Sequence, residues 1–232
     1  MERHPYGEIM DIGKALSDSF EYAREAVWGK WVKWILLIIS MIIFPLILGY
    51  LMEIYRGKKP APELANWCKL FIDGIKLFIV GLIYAIPVIL VILISYVLFV
   101  AQGPPRLVAG TPSAFMSSAG SVLAGLVLMV IVLIIVVLPA GVIRFARTDK
   151  MGEAFNFSAI LAQIGRIGWG SYIFSLIVIL VVVGIITFIL QMIPVVGMIL
   201  RVIIYPAVLI LMGRFLTLLY DSAAPAPAPA PA

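Results

Sequence analysis

LVLMVIVLIIVVL, residues 126–138, is a run of thirteen side chains with no polar group among them. Together with VILVILISYVLFV (88–100) it decides the fold. A membrane β-barrel strand alternates apolar and polar residues over about 10 positions, and these runs do not alternate. They predict helices that face lipid or one another.

Working outward, the charge-free intervals are 34–52, 77–105, 107–143 and 167–200. A spanning helix needs about 20 apolar residues at ~1.5 Å each. Trimming polar ends leaves expected spans near 77–100, 120–143 and 171–191, and a fourth is expected near 198–218, which carries Arg201 and Arg214. Composition agrees: of 232 residues, 63% are hydrophobic and 12% charged, with a mean hydropathy of +1.15. A soluble domain carries roughly a quarter charged residues, so lipid must solvate part of this surface. The expected fold is all-α: a polytopic helical integral membrane protein with interfacial amphipathic helices, in one membrane domain over 1–222. The tail AAPAPAPAPA (223–232) reads as a polyproline-type linker or stalk.

Three flanking stretches carry helical amphipathicity. Ile9, Ile12, Leu16, Phe20, Ala23, Val27, Trp31 and Trp34 share one face, with Asp11, Lys14, Asp18, Glu21 and Glu25 opposite. Leu64, Trp67, Phe71 and Phe78 form a second stripe, and Phe157, Ile160, Ile164 and Ile167 a third. Such helices lie in the membrane interface, anchored by Trp and Lys. Trp28, Trp31, Trp34, Trp67, Lys30 and Lys33 are the expected anchors.

An internal repeat runs through these stretches. IGKALSDSF (12–20) parallels MGEAFNFSA (151–159), and the same offset aligns Gly29 with Gly168. Pro45, Pro139 and Pro206 each fall late in an apolar run that returns to charge. Three units follow, about 9–58, 62–147 and 150–220, each an amphipathic helix, an ascending limb and a descending limb with a proline. Residues 34–52 are too few for two passes, so unit one is expected to re-enter, turning near Phe44 and Pro45. With that hairpin, 15 Lys and Arg fall on the cytoplasmic side against 2 outside; five straight spans give 10 against 7. The positive-inside rule prefers the hairpin, with the C-terminus and the Lys/Arg-rich connections cytoplasmic in a multi-pass cell-membrane protein. No cleavable signal peptide is expected.

The stretch LGYLMEIYRGKKPAPELANWCKLFIDGIKLFIVGLIYAIP (48–87) resembles a widespread prokaryotic family of polytopic membrane proteins, common in methanogenic archaea, that carries a domain of unknown function. The resembling elements are the Gly-Tyr before the first charged turn, the Pro-Glu leading to a Trp, FIDGIKLFIV, and YAIP in the next span. A weaker likeness continues through RFARTDKMGEAFNFSAIL (144–161), so about residues 10–220 are covered. The resemblance implies a polytopic fold and no known activity.

Catalysis is disfavoured. One cysteine, Cys68, and one histidine, His4, exclude a disulfide framework and a His/Cys metal site, and the three long apolar intervals hold no acid or base except tyrosines. Ser95, Ser121, Ser171 and Ser175 lack a nearby base, and no phosphate loop or dinucleotide fingerprint occurs. The expectation is a non-enzymatic protein without cofactors, partnered by membrane lipids and further copies of itself rather than by nucleic acid. A lipid-interacting scaffold is the favoured role, and an oligomeric channel or transporter the alternative. For transport the chain offers Pro87, Pro139, Pro194 and Pro206 as candidate breaks, with Thr187 and Gln191 as isolated polar groups. Gly81, Gly125, Gly141, Gly184 and Gly213 would permit close helix approach. Arg201, near an outer boundary with Arg106, is a candidate contact for an anion or lipid headgroup.

Overall fold

Eight α-helices and one short 3-10 helix make up the regular structure of residues 10–101, 118–193 and 196–223, which the computed structural model describes. They are α1 (Ile12–Val27), α2 (Trp31–Ile42), α3 (Phe44–Tyr55), α4 (Trp67–Ala101), α5 (Ser118–Thr148), the 3-10 helix Met151–Phe155, α6 (Phe157–Ile167), α7 (Trp169–Gln191) and α8 (Val196–Asp221). No strand occurs among the described residues. Four helices are long and apolar enough to cross a membrane, in α4, α5, α7 and α8, and they contain the four expected spans. Ile9, Arg106, Pro194 and the Pro-Ala tail beyond Ala223 lie outside the described residues.

Local chemistry sets the helix ends. Asp11 caps α1 by accepting the Lys14 N–H at 3.1 Å, and Asn156 caps α6 by accepting that of Ala159 at 3.2 Å. A glycine with positive φ follows each of two helices: Gly29 follows α1 with φ +74°, and Gly168 follows α6 with φ +93°. Both conformations suit a residue without Cβ.

Three expectations are corrected. The seven-turn face from Ile9 to Trp34 is interrupted at Gly29, and the packing face of α1 is rotated from the expected one. Ala15, Ser19, Tyr22, Ala23 and Ala26 are buried, whereas Phe20 is exposed. Small side chains let α1 lie close along α8, and the Ser19 hydroxyl is satisfied by donating to the Ala15 carbonyl at 2.7 Å. The second amphipathic stretch is no separate helix, because Trp67 to Phe78 form the first turns of the 35-residue α4. Finally, Pro87, Pro139 and Pro206 do not break their helices; α4, α5 and α8 continue through them, as membrane helices tolerate.

The run 34–52 is divided at Ile43 into α2 and α3, each of 12 residues and ~18 Å long, with Pro45 in the first turn of α3. The pair is bent. In a straight rod Lys33 and Tyr55 would lie ~33 Å apart, whereas the Lys33 ammonium donates to the carbonyl of Ala61 at 3.2 Å. Six extended residues reach only ~20 Å.

The core lies where α3, α5 and α8 pack against one another. Tyr50, Met52, Ile54, Ile143, Phe145, Ile210 and Phe215 fill it, all fully buried. Around this trio α2 packs on α3, α4 on α5 and α7 on α8. The entering segments close the arrangement: α1 lies on α8, the start of α4 on α3, and the 3-10 helix with α6 on α5. The α3–α4 crossing is the tightest. A Cβ built on Gly49 would stand 1.8 Å from the Leu70 carbonyl oxygen, and one on Gly74 1.7 Å from that of Pro45. Only hydrogen fits there. Gly141 and Gly213 also sit against neighbouring helices, whereas Gly81, Gly125 and Gly184 meet open space.

Candidate functional site

Ion pairs fasten each entering segment to the helix beneath it. Arg214 of α8 donates Nε to Asp18 of α1 at 2.8 Å, and Lys59 reaches the other oxygen of Asp18 at 2.6 Å. Arg144 of α5 holds Glu153 of the 3-10 helix at 2.6 Å. Between α3 and α4, Arg56 bridges Glu53 at 2.7 Å and Asp73 at 2.8 Å, and its other nitrogen binds Asp149 after α5 at 2.6 Å. Lys69, at 2.9 Å, and Lys58 complete the neutralisation of Glu53. Arg147 pairs with Asp221 at 2.6 Å. These groups gather at one end of the bundle.

Burial and pairing oppose each other at the carboxylates. Burial alone would raise the Asp18 and Glu53 pKa values; hydrogen bonds from Arg214 and Lys59, and from Lys58 and Lys69 with the charge of Arg56, outweigh it and hold both below their ordinary values. Burial pushes the Tyr22 phenol up to about 12, so it stays a donor, to the Lys58 carbonyl at 2.8 Å. The Arg214 guanidinium lies 5.0 Å from the centre of the Tyr22 ring, a cation–π distance. Among the described residues no group of His, Cys, Asp and Glu is arranged to hold a metal ion.

The expected anchors fall at the junction of α1 and α2, apart from Trp67. Trp28 and Trp31 are 73% and 68% exposed. Trp34 is half-buried, stacks on Trp31 at 5.6 Å between ring centres, and donates its indole N–H to the Ile203 carbonyl of α8 at 2.9 Å. Lys30 is exposed, whereas Lys33 is turned inward with 6% of its side chain accessible. Its ammonium is held by Ala61 and by Glu63 Oε1 at 3.1 Å. Burial lowers the Lys33 pKa, and Glu63 partly offsets this. A groove of about 460 Å³ opens here, walled by Gly29, Lys30, Trp31, Lys33, Leu36 and Glu63. Trp67 begins α4 and is exposed. Arg201 is exposed in α8, does not line this groove, and forms no salt bridge with the described residues.

Glu63 and the Asp18–Arg214 pair did not stand out in sequence. The periodicity puts Glu63 on the polar face opposite Leu64 and Trp67 without indicating its partner, and Asp18 and Arg214 are 196 positions apart. The Gly-Tyr and Phe-Ile-Asp-Gly elements gain a physical meaning here. Gly49 and Gly74 form the closest helix crossing, while Asp73 and Arg56 lock it. No curated protein and no solved structure matches the chain. Residues 34–195, which contain both elements, match the pattern described as "Protein of unknown function (DUF4013)", and the chain belongs to that family of proteins of unknown function.

Proposed function

We propose that the protein is a non-enzymatic, lipid-interacting scaffold of the cell membrane, with its C-terminus and Lys/Arg-rich connections cytoplasmic. The observation that carries this reading is the filled centre of the bundle. Tyr50, Ile210 and Phe215 are completely buried between α3, α5 and α8, while the apolar windows of α4 and α7 are only 17% and 22% buried. Most charged groups are engaged with one another at the helix ends, the Tyr50 and Ser175 hydroxyls are buried in the bundle without a hydrogen-bond partner among the described residues, and the large free surface is hydrocarbon. The chain is read as three related units closing head to tail, each entering segment clamped to the descending helix of another unit. Positive φ at both Gly29 and Gly168, after α1 and α6, supports that reading.

Unit one contributes helices of 12 residues where the others contribute 23 to 35. Two long hairpins and one short one make the cross-section broader near the charged end, a shape suited to bending or sorting lipid. Cryo-electron microscopy of proteoliposomes tests this directly. Vesicle diameter should fall as the protein-to-lipid ratio rises, and an unchanged size distribution at high loading contradicts a bending scaffold.

A homo-oligomeric channel is the second reading. It is favoured by the outward-facing Gly81, beside an apolar groove of about 240 Å³ between α4 and α5 that Tyr84, Val88, Ile131, Ile135 and Leu138 help to line. Copies meeting there would build a conduit between chains rather than within one.

A further inference from the structure

The groove between α1 and α2 combines features that a lipid phosphate requires. Lys30 and Lys33 supply two ammonium groups and Glu63 one carboxylate, a local excess of one positive charge. The first-turn N–H groups of Trp31, Val32 and Lys33 find no acceptor among the described residues, and no side chain caps α2. They add the positive end of the helix dipole to the same wall.

Glu63 holds this place weakly. Its side chain is 66% exposed on a connecting segment, and one oxygen serves both Lys33 at 3.1 Å and Lys30 at 3.9 Å. The Lys30 contact is an exposed ion pair, which contributes only about 0–1 kcal/mol, and the buried Lys33 ammonium keeps the Ala61 carbonyl as a partner when Glu63 leaves. A phosphate offers several oxygens and can meet both ammonium groups and the backbone donors together. The remaining walls are apolar, with Trp31 and Val32 exposed beside Leu36, and the Trp34 bond to Ile203 ties this rim to the apolar part of α8. Anion donors next to exposed hydrocarbon fit an amphiphile better than a free ion.

We propose that this groove binds the phosphate of an anionic phospholipid, and that Glu63 is a resident carboxylate which the phosphate displaces. The proposal rests on the lipid-interacting reading and specifies its headgroup chemistry. Glu63 then competes with the ligand, so removing its charge strengthens binding, whereas loss of a merely structural ion pair would weaken or not affect it.

The test is native mass spectrometry of the full chain in detergent, titrated with phosphatidylglycerol and separately with phosphatidylcholine, with a thermal midpoint recorded for each variant. Phosphatidylglycerol should be retained in preference to phosphatidylcholine. Glu63→Gln should tighten it by about fivefold, the equilibrium equivalent of one exposed ion pair, and Lys30→Gln should loosen it by a similar factor. Lys30 is half-exposed, so its variant keeps the test decisive where Glu63→Gln misfolds. Equal or weaker phosphatidylglycerol binding by a folded Glu63→Gln overturns the proposal, as does equal retention of both lipids. Displacement by millimolar inorganic phosphate overturns the lipid as the source. Vesicle remodelling without headgroup preference sinks this site alone; headgroup preference in a protein that conducts ions sinks the scaffold and leaves the site.

Discussion

Arg214, seven residues from the end of α8, donates to Asp18 in the second turn of α1, at 2.8 Å and across 196 positions of sequence. The guanidinium is buried and lies over the Tyr22 ring. First and last helices are thereby joined, which closes the ring of packed segments around α3, α5 and α8.

Removing one side of a buried pair leaves an uncompensated charge, at a cost of about 3–5 kcal/mol. Asp18 is one-third exposed, so Asp18→Asn should destabilise by about 3 kcal/mol, the lower end of that range. A thermal melt in detergent checks this. Lys59→Gln, which removes only an exposed partner, should shift the melt by far less.

Acid should loosen the same contacts. Asp18 and Glu53 titrate below their ordinary values of 3.8 and 4.5 in the folded chain. Each therefore contributes stability that is fully present above the ordinary value and lost as pH falls through the depressed one. The melting midpoint should be level between pH 7 and about 5.5 and fall below about pH 4.5, with a smaller fall in Asp18→Asn. A midpoint that rises on acidification contradicts the assignment.

The α3–α4 crossing makes a prediction by contrast. Gly49→Ala and Gly74→Ala each force a methyl into a backbone carbonyl and should cost about 1–3 kcal/mol or more, as overpacking does. Gly81→Ala, in open space within α4, should be neutral or slightly stabilising, since alanine favours helix by about 1 kcal/mol over glycine.

Topology is open to labelling. Lys59 touches Asp18 at 2.6 Å, so Ser17 and Lys59 lie side by side. Cysteines at these positions, in a chain with Cys68 replaced by serine, should react with an impermeant maleimide from the same, cytoplasmic side. Labelling from opposite faces contradicts the re-entrant α2–α3 pair.

Much of this fold is legible in the sequence where burial is set by composition. Uninterrupted apolar runs mark α4, α5 and α7 because hydrocarbon solvation tolerates little else over such lengths, whereas α8 carries Arg201 and Arg214 within its apolar sequence. Gly29 and Gly168 stand at positive φ, where backbone geometry disfavours most side chains. Periodicity ranks Phe20 and Leu16 above Ser19 and Ala15 and so points to a face of α1 rotated from the one that packs. Close contact with α8 selects the small side chains instead, and Ser19 satisfies its own hydroxyl. A lysine beside tryptophans reads as interfacial, and Lys33 lines the groove with Trp31, but its ammonium is turned inward. Its inward turn depends on the carbonyl of Ala61, and a backbone acceptor leaves no mark in sequence. Asp18 and Arg214 were each visible as charges, but their pairing is a property of closure.

Ion flux through liposomes containing the purified full chain tests the central claim most directly. A scaffold whose centre is filled by Tyr50, Ile210 and Phe215 should leave potassium, proton and chloride flux at the level of protein-free vesicles at every protein density. Flux that rises with protein density, and is blocked when bulky residues replace Gly81, would contradict the scaffold and establish a channel built between copies.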